Sequence, residues 1–204
     1  MSIAAQETSL RHGMPEAPRL PPQTGTTAPA FEAGADLREL RVRGAELSGA
    51  ALGDLQVRDA ELVDCDLANA RARGAAMVRV AVRQSRLTGL AWTEGRLRDA
   101  RLSDCRIDFA SFALSELEEV AFEDCSLVEA DFGQARLSAV SFARCDLSGA
   151  DLGGARFRRC ELRGCTIEGI RGVESLRGVG MRWDDVVAAA GTFAAALGVK
   201  VLER

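Results

Sequence analysis

The sequence predicts a repeat solenoid, and a five-residue period carries that prediction. Stepping by five from Leu37 to Ile167, all 27 positions hold an apolar residue, and the phase never slips. The positions two residues earlier, from Ala35 to Ile170, hold only small or apolar residues, and none of them is charged. A period of five fits neither the 3.6-residue helix nor the two-residue strand, so two positions of each unit point inward and three point outward.

Individual units are similar to a known motif. ADLRE at 35–39, CDLAN at 65–69, CDLSG at 145–149 and ADLGG at 150–154 resemble the A(D/N)LXX motif of the pentapeptide-repeat family. The resemblance covers about two thirds of the chain. It implies a right-handed quadrilateral parallel β-helix with one unit on each side. The predicted fold class is therefore an all-β solenoid of about seven coils over residues 35–170, followed by a C-terminal helical cap.

The cysteines support the four-sided cross-section independently of the motif. Positions 45, 65, 85, 105, 125, 145 and 165 lie 20 residues apart and hold five of the six cysteines, one alanine and one serine. We interpret these residues as inward-facing spacers in which the thiol acts as a small hydrophobe. A zinc site at Cys160 and Cys165 is disfavoured because the spacing is not of the CxxC type. A reducing compartment disfavours disulfides.

The large inward residues predict how the interior is filled. On one side they read Leu52, Ala72, Trp92, Phe112, Phe132 and Leu152. We expect Trp92 to occupy the space that Ala72 leaves in the neighbouring coil, because protein interiors are close-packed. On another side, Phe122 and Phe142 should stack on each other.

Residues 1–34 are predicted to be a flexible Pro-rich arm. They contain all five prolines and the only histidine, His12, and they show no apolar period. The arm lacks the pattern of a secretory signal, and no stretch of the chain is apolar for long enough to span a membrane. We therefore predict a cytoplasmic protein that has no membrane contact.

Residues 171–204 are predicted to form a capping helix and a short strand. Asp184 or Asp185 would cap the helix, and residues 199–202 would form the strand. One helix face would carry Val186, Ala190, Phe193 and Leu197. Because a comparable tail forms a dimer contact in MfpA-like members of the family, a homodimer through 183–202 and a monomeric lid are both open.

Catalytic groups are scarce in this sequence. The only histidine lies in the arm, tyrosine is absent, and no Walker loop or GxGxxG motif occurs. A convex column also offers no cleft that would desolvate a pair of carboxylates. We predict a non-enzymatic binding module with no catalytic residue, cofactor, metal or small-molecule substrate.

The outward charges are banded, and the acidic band contains apolar residues. Residues 71–106 carry nine basic and three acidic groups, whereas 108–131 carry eight acidic groups and no basic group. Within this acidic belt, Phe109 and Leu114 occupy consecutive outward corners, and Val128 points outward nearby. We interpret the three as the centre of an interface with a protein partner. The acids complete the candidate partner-binding residues: Asp108, Glu116, Glu118, Glu119, Glu123, Asp124, Glu129 and Asp131.

Two alternatives remain for the function. Qnr- and MfpA-like members of the family imitate DNA and bind type II topoisomerases, so the resemblance implies DNA gyrase as a partner that the protein would protect or inhibit. Duplex DNA carries one charge per ~1.7 Å, so a column ~33 Å tall would need about 20 negative charges, whereas the net charge here is −4. The other alternative is a structural protein whose charged belt is only a solvated face.

Direct binding of nucleic acid is disfavoured. The nine arginines of the basic band are spread over all sides of about two coils, with acids among them. No aromatic platform faces outward beside them to stack on bases.

Overall fold

A computed structural model of the chain describes residues 14–20 and 30–202. From Asp36 onward the chain winds into a parallel β-solenoid in which each coil advances by 20 residues. Asp36 pairs with Gln56, Gln56 with Ala76 and Ala76 with Arg96. The predicted fold class and the coil length are therefore confirmed. We number the coils from residue 36, so that coil 1 is 36–55 and coil 4 is 96–115.

Each coil has four sides, which we call A, B, C and D in chain order. In coil 1 they are residues 36–38, 41–43, 46–48 and 51–53, and the same positions recur every 20 residues. Strands form on sides A and B, and single ladder bridges form on sides C and D. The strands are β1 (Asp36–Arg43), β2 (Gln56–Val63), β3 (Ala76–Arg83), β4 (Arg96–Ser103), β5 (Glu116–Glu123), β6 (Arg136–Ser138), β7 (Ser141–Ala143), β8 (Arg156–Arg158), β9 (Glu161–Arg163) and β10 (Gly180–Met181).

Every unit turns a corner through one residue in the left-handed region. The corner is the fifth residue of each unit from Gly34 to Gly169, and its φ lies between 50° and 74°. Nineteen of these corner residues are not glycine, although an L side chain costs roughly 1–2 kcal/mol in this region. The corner amide donates to a carbonyl of the next coil, as Phe109 does to Val128 at 2.9 Å. The stacked backbone therefore holds each corner in place.

Aromatic side chains fill the middle of the column. Phe112 stacks on Phe132 from side D, with ring centroids 5.2 Å apart, and Phe122 stacks on Phe142 from side B at 5.0 Å. The two stacks meet edge to face, since Phe112 contacts Phe122 with an interplanar angle of 75°. The predicted stack of Phe122 and Phe142 is confirmed.

Trp92 also lies inside the column, as predicted. Its side chain is 3% exposed, and it lines a small apolar cavity of about 30 Å³ together with Ala72 and Met77. The indole packs so tightly over Gly95 that a Cβ at that residue would collide with the ring nitrogen. This contact explains the one glycine among the small inward positions. The remaining cavity shows that Trp92 fills the space left by Ala72 incompletely.

The cysteines occupy the inward spacer positions as unpaired thiols. Five of them are buried, whereas Cys165 in the last coil is partly exposed. Each thiol donates to nearby carbonyls, as Cys105 does to Ser103 at 3.2 Å. Ser115 uses its hydroxyl in the same way toward Trp92, at 2.8 Å. The Cys and Ser spacers therefore fill space and also donate to carbonyls near the corners, whereas the alanines at equivalent positions only fill space. The spacer prediction is confirmed for the five buried cysteines.

The end of the column is closed by more than the predicted helix. A 3₁₀ turn at Val173–Leu176 follows the last coil and places Leu176 over the core residues Phe157 and Ile170. The chain then adds β10 to β9 on side B. Two short helices follow, α1 (Trp183–Ala188) and α2 (Ala190–Ala196).

The predicted helix face needs correction. Ala189 is buried and Phe193 is half-buried, whereas Ala190 and Leu197 are exposed, because the helix breaks at Ala189 and the face rotates. Residues 199–202 form no strand, since no neighbouring strand end pairs with them in the described residues. Arg182 is the N-cap of α1 and makes no side-chain capping bond. Asp185 instead accepts a hydrogen bond from the Gly164 amide at 3.1 Å.

The predicted arm is described only in part. Residues 14–20 run along the outside of the column at the edge between sides A and B, and Phe31 is half-buried against the first coil. Residues 1–13 and 21–29 lie outside the described ranges, so the prediction of flexibility is untested there.

Replacing Trp92 with Ala should enlarge the existing cavity and lower the free energy of unfolding by roughly 3–5 kcal/mol, the usual range for a buried tryptophan. Urea denaturation followed by far-UV circular dichroism measures this change. A loss below ~1 kcal/mol would show that the ring faces solvent and that the inward phase is wrong.

The thiols should alkylate slowly in the native protein, with Cys165 reacting first because it alone is partly exposed. The neighbouring thiol of Cys105, together with burial, raises the pKa of Cys125 to about 12, and Cys125 raises the pKa of Cys145 to about 12 in the same way. Little reactive thiolate is therefore present at Cys125 and Cys145 at neutral pH, and burial limits the reaction of the other buried thiols. Mass spectrometry after iodoacetamide treatment should find six modified cysteines only in unfolded protein. Fewer than six free thiols in unreduced, unfolded protein would contradict the assignment.

Candidate partner-binding surface

Phe109 and Leu114 stand at two neighbouring edges of coil 4. Phe109 is 57% exposed at the edge between sides C and D, and Leu114 is 52% exposed at the edge between D and A. Both have left-handed backbones, with φ of 57° and 61°. The structure therefore places the two predicted apolar residues on the outside, one at each border of side D.

Side D is shallow between these two residues. The outward positions of side D in coil 4 are Ser111 and Ala113, and those in coil 3 are Ala91 and Thr93. Because these side chains are short, Phe109 and Leu114 rise above the surface as two ridges. A partner could therefore contact both ridges and the small residues between them.

Three of the predicted acids lie beside the ridges. Asp108 precedes Phe109 and accepts hydrogen bonds from the Val128 amide at 3.2 Å and from the Ser126 hydroxyl. Asp131 accepts from the Ser111 hydroxyl at 3.0 Å and the Gly133 amide at 2.7 Å. Glu129 occupies the same edge as Phe109, one coil later, and is exposed.

Val128 lies next to Phe109 in the neighbouring coil. It is half-buried on side C, and its carbonyl accepts the Phe109 amide. Six of the predicted residues therefore form one surface, which we call the D-side patch. It comprises Asp108, Phe109, Leu114, Val128, Glu129 and Asp131.

The other five predicted acids lie on sides A and B and at the edges of side B, and four of them are ion-paired. Glu116 is held between Arg96 at 2.8 Å and Arg136 at 3.0 Å, and Asp124 contacts Arg144 at 2.6 Å. Longer contacts join Glu118 to Arg98 at 3.7 Å and Glu123 to Arg101 at 3.8 Å. The fifth acid, Glu119, lies at the edge between sides A and B. None of these five residues lies on side D, and Glu116, two residues after Leu114, is the one that borders the D-side patch.

These pairs follow from the register of the coils. Residues 20 apart are ladder neighbours, so opposite charges at i and i+20 lie side by side. Arg79 reaches Asp59 in this way at 2.6 Å, and Arg171 reaches Asp151 at 3.2 Å. These pairs are missed when charges are counted along the chain, whereas a search for opposite charges at spacings of 20 and 22 finds them.

The pairs shift the pKa of the acids in the expected direction. Hydrogen bonds from Arg96 and then Arg136 hold the pKa of Glu116 below its usual value. Glu119 behaves in the opposite way. Its hydrogen bond with Asp99, together with burial and the charge of Asp99, raises the pKa of Glu119. Asp99 itself is 7% exposed, so the edge between A and B contains a closely spaced pair of acids.

A second concave feature lies at the C-terminal end. A cleft of about 550 Å³ separates the last coil from the two helices and is lined by Cys165, Glu168 and Thr192 among others. The described residues contain no cluster of three or more histidine, cysteine or acidic side chains placed to hold a metal ion. Within the same residues, no helix is long and apolar enough to cross a membrane.

Two family models match the chain. One, described as a pentapeptide repeat region, matches residues 75–152, and the other, described as pentapeptide repeats in eight copies, matches residues 141–171. The column belongs to the pentapeptide-repeat family. The resemblance seen in the repeat units is thereby confirmed. Proteins of this family are in general structural or binding proteins.

Solved pentapeptide-repeat structures are similar to this chain at low identity. HetL from the cyanobacterium Nostoc sp. strain PCC 7120, which is involved in heterocyst differentiation regulation, is 19% identical, with 72% of this chain and 89% of HetL covered and a TM-score of 0.34. A trypsin-treated form of QnrB1, a plasmid-mediated fluoroquinolone resistance protein, is 15% identical, with coverage of 85% and 94% and a TM-score of 0.34. A pentapeptide repeat protein from the Arabidopsis thaliana thylakoid lumen is 18% identical, with coverage of 74% and 75% and a TM-score of 0.24. No curated protein matches the chain significantly.

Glu119→Gln should stabilise the protein at pH 7, since it removes a charge next to Asp99 and leaves an amide that can donate to that carboxylate. A raised folded-state pKa means that ionisation of Glu119 lowers stability as the pH rises through that pKa. The gain should be about 0.3–1 kcal/mol, because the site is solvent-screened, and it should vanish below about pH 4, where Glu119 is protonated in both states. Urea unfolding across pH measures it.

Glu116→Gln is the control of opposite sign. Its lowered folded-state pKa means that the charge stabilises the fold above the unfolded pKa, so the substitution should destabilise at pH 7 and lose its effect in acid. Two variants with the same sign of effect at pH 7 would contradict the assigned contacts.

Proposed function

We propose that this pentapeptide-repeat column is a protein-binding module and that the D-side patch is its contact surface. The partner we expect has an apolar centre that covers Phe109 and Leu114 and a basic rim that faces the acids of the patch. The column would act as a rigid, non-catalytic surface. Central apolar anchors of this kind typically dominate the binding energy of an interface.

The exposure of Phe109 and Leu114 at left-handed corners is the observation that carries the proposal. Four of the seven corners on the edge of Phe109 and three of the seven on the edge of Leu114 are glycine, and the remaining corners other than Phe109 and Leu114 are polar. Glycine adopts this backbone without strain, whereas a bulky apolar residue is an outlier there. Neither side chain compensates by packing in the core, since both are more than half exposed. Because neither side chain contributes to the core, we interpret Phe109 and Leu114 as contacts for a binding partner.

The charge around the patch indicates the chemistry of the partner. Within the described residues, neither Glu129 nor Asp131 takes part in an ion pair, in contrast to most acids on sides A and B. These carboxylates are therefore available to lysine or arginine side chains of a partner. Such rim charges act mainly on the association rate and on specificity.

Imitation of DNA toward gyrase is the second candidate, and the local density of acids in residues 108–131 favours it. Its weakness is that arginines from adjacent coils neutralise Glu116 and Asp124. A continuous track of negative charge, as duplex DNA presents, is therefore interrupted on sides A and B. The purified protein would have to inhibit gyrase supercoiling, or relieve poisoning by a drug, for this candidate to replace the first.

We also propose that a second copy of the chain binds through residues 183–202. Trp183 is 76% exposed and Val187, one turn later on α1, is 56% exposed. The tail exposes further apolar residues, Leu197, Val199, Val201 and Leu202. An apolar helix face and tail of this extent favour burial against a partner surface over a solvated lid.

The double substitution of Phe109 and Leu114 with Gly should separate binding from folding. We expect the free energy of unfolding to stay constant or to rise by ~1–2 kcal/mol, because strain at two corners is relieved. Partner recovery in quantitative cross-linking and affinity capture should fall at least tenfold, since each lost anchor costs more than ~1 kcal/mol. Asn69→Gly with Gln134→Gly is the matched control, because these corners lie on the same two edges outside the patch.

Equal recovery of the partner by the double variant and the control would contradict the proposal. If purified wild-type protein inhibits gyrase, and Glu118→Lys with Glu119→Lys abolishes that inhibition while the glycine variant retains it, the DNA-mimic candidate takes its place. Sedimentation velocity of each variant checks that the self-association state is unchanged.

A further inference from the structure

Residues 14–20, with the sequence MPEAPRL, lie against the edge between sides A and B. The Arg19 amide donates to the carboxylate of Asp59 at 3.0 Å, and the Glu16 amide lies 3.5 Å from the carboxylate of Asp99. Both acceptors are corner residues, in coils 2 and 4. The segment therefore contacts the column through backbone amides and runs across three coils from Asp99 to Asp59.

The distance between the two contacts fits both the spacing of the coils and the repeat of a polyproline II helix. Asp59 and Asp99 are two coils apart, which corresponds to ~9.6 Å at the usual strand spacing. Three residues of polyproline II helix rise ~9.3 Å, and that helix repeats every three residues, so the amides of Glu16 and Arg19 face the same way. The segment can therefore place one amide on every second corner of the edge without distortion.

The prolines fit the same periodicity. Pro15 and Pro18 are three residues apart and half-buried, whereas Ala17 between them is exposed. Proline fixes φ near the polyproline II value, so the segment loses little conformational entropy when it docks. A pattern of the type Pro-x-x-Pro thus supplies both the rigid backbone and the apolar contact.

The acceptors are also held by arginine side chains of the column itself. Arg79, the corner between them in coil 3, contacts the two carboxylate oxygens of Asp59 at 2.6 and 2.7 Å. Asp99 is 7% exposed and lies 3.6 Å from Arg98. The hydrogen bonds from Arg79 and the Arg19 amide also keep the pKa of Asp59 below its usual value. Both carboxylates therefore present oxygen atoms to an amide in a defined position on a rigid ladder.

We infer that the edge between sides A and B, from Asp59 to Asp99, is a binding track for Pro-x-x-Pro segments in the polyproline II conformation, and that residues 14–20 occupy it in cis. The ligand is a proline-rich segment of another protein with free amides three residues apart. The track lies diagonally across the column from the edge of Phe109, so it is separate from the D-side patch. Because the cis segment is covalently attached, its effective concentration is on the order of mM, and it acts as a competitive strap over the track.

Amide hydrogen exchange of the full chain tests the docking of the strap. The amides of Glu16 and Arg19 should exchange at least fivefold more slowly than in the free peptide MPEAPRL, whereas the amide of Ala17 should exchange at the free-peptide rate. Asp99→Ala should remove the protection of Glu16, and Asp99→Asn, which keeps a carbonyl acceptor, should retain part of it. Asp104→Ala is the matched control, because Asp104 is a left-handed corner of the same coil at the next edge.

Equal protection of Glu16, Ala17 and Arg19, or equal effects of Asp99→Ala and Asp104→Ala, would overturn the docking geometry. Both outcomes can be read even if the variants differ in global stability, since exchange of core amides of β4 reports unfolding in the same sample.

Binding in trans tests the track itself. The probe is the fluorescein-labelled peptide MPEAPRL, measured by anisotropy against the full chain and against Pro15→Gly with Pro18→Gly, which weakens the strap. The labelled peptide should bind the glycine variant at least fivefold more tightly than the wild type, and adding Asp99→Ala should reverse that gain. The peptide MPEARPL, whose prolines are four residues apart, should bind at least fivefold more weakly than MPEAPRL. Absence of binding to the glycine variant, or equal binding of both peptides, would overturn the inference.

Discussion

In-register stacking of coils every 20 residues is the constraint on which the rest of the molecule depends. Each residue lies one strand spacing from its neighbours at i−20 and i+20. Residues 20 apart therefore share the same backbone conformation and the same inward or outward direction. Nineteen corners carry a side chain in the left-handed region at a cost of roughly 1–2 kcal/mol each. Corner amides such as those of Asp64, Asn69 and Leu114 donate to carbonyls of the next coil, and that ladder, rather than local propensity, keeps the corners in place.

The same stacking turns charge bands of the sequence into charge pairs in space. A run of nine arginines over two coils followed by eight acids over one looks like separate basic and acidic surfaces when it is read along the chain. Across the coils, Glu116 lies between Arg96 and Arg136, so its charge is neutralised by residues of the adjacent coils. A surface potential in a solenoid therefore depends on the charge at i±20 more than on the composition of a segment. Side D differs because its outward residues are mostly small and lack arginine partners near Asp131.

Inward and outward positions were predictable because the five-residue phase fixes them unit by unit. The burial of Trp92, the stack of Phe122 on Phe142 and the exposure of Phe109 all follow from that phase. The cap was predicted less well, since its buried face depends on how the helix meets the last coil, and Ala189 was not recognised as the residue that packs there. The docking of residues 14–20 could not be predicted from the sequence. It depends on the near equality of two distances, the axial spacing of two coils and the length of three polyproline II residues, and no local sequence pattern reveals that match. Which of the eight predicted acids lie beside Phe109 and Leu114, and which are paired with arginines, depends on the register of the coils as well as on the sequence.

The core does not constrain the side chains at the corner positions, so these residues can serve in binding. At the two edges that border side D, seven of the fourteen corners are glycine and five are polar, so Phe109 and Leu114 are the two apolar side chains among them. At the edge between A and B, the corners carry charge instead, and Asp59, Arg79 and Asp99 alternate in sign along the axis. With this alternation, Arg79 holds the Asp59 carboxylate that accepts the Arg19 amide, and Asp99, one coil beyond Arg79, accepts the Glu16 amide. A column with one repeated backbone can thus present an apolar contact at one edge and a backbone-binding track at the diagonal edge, because the chemistry of each edge is set by corner residues that the core does not constrain.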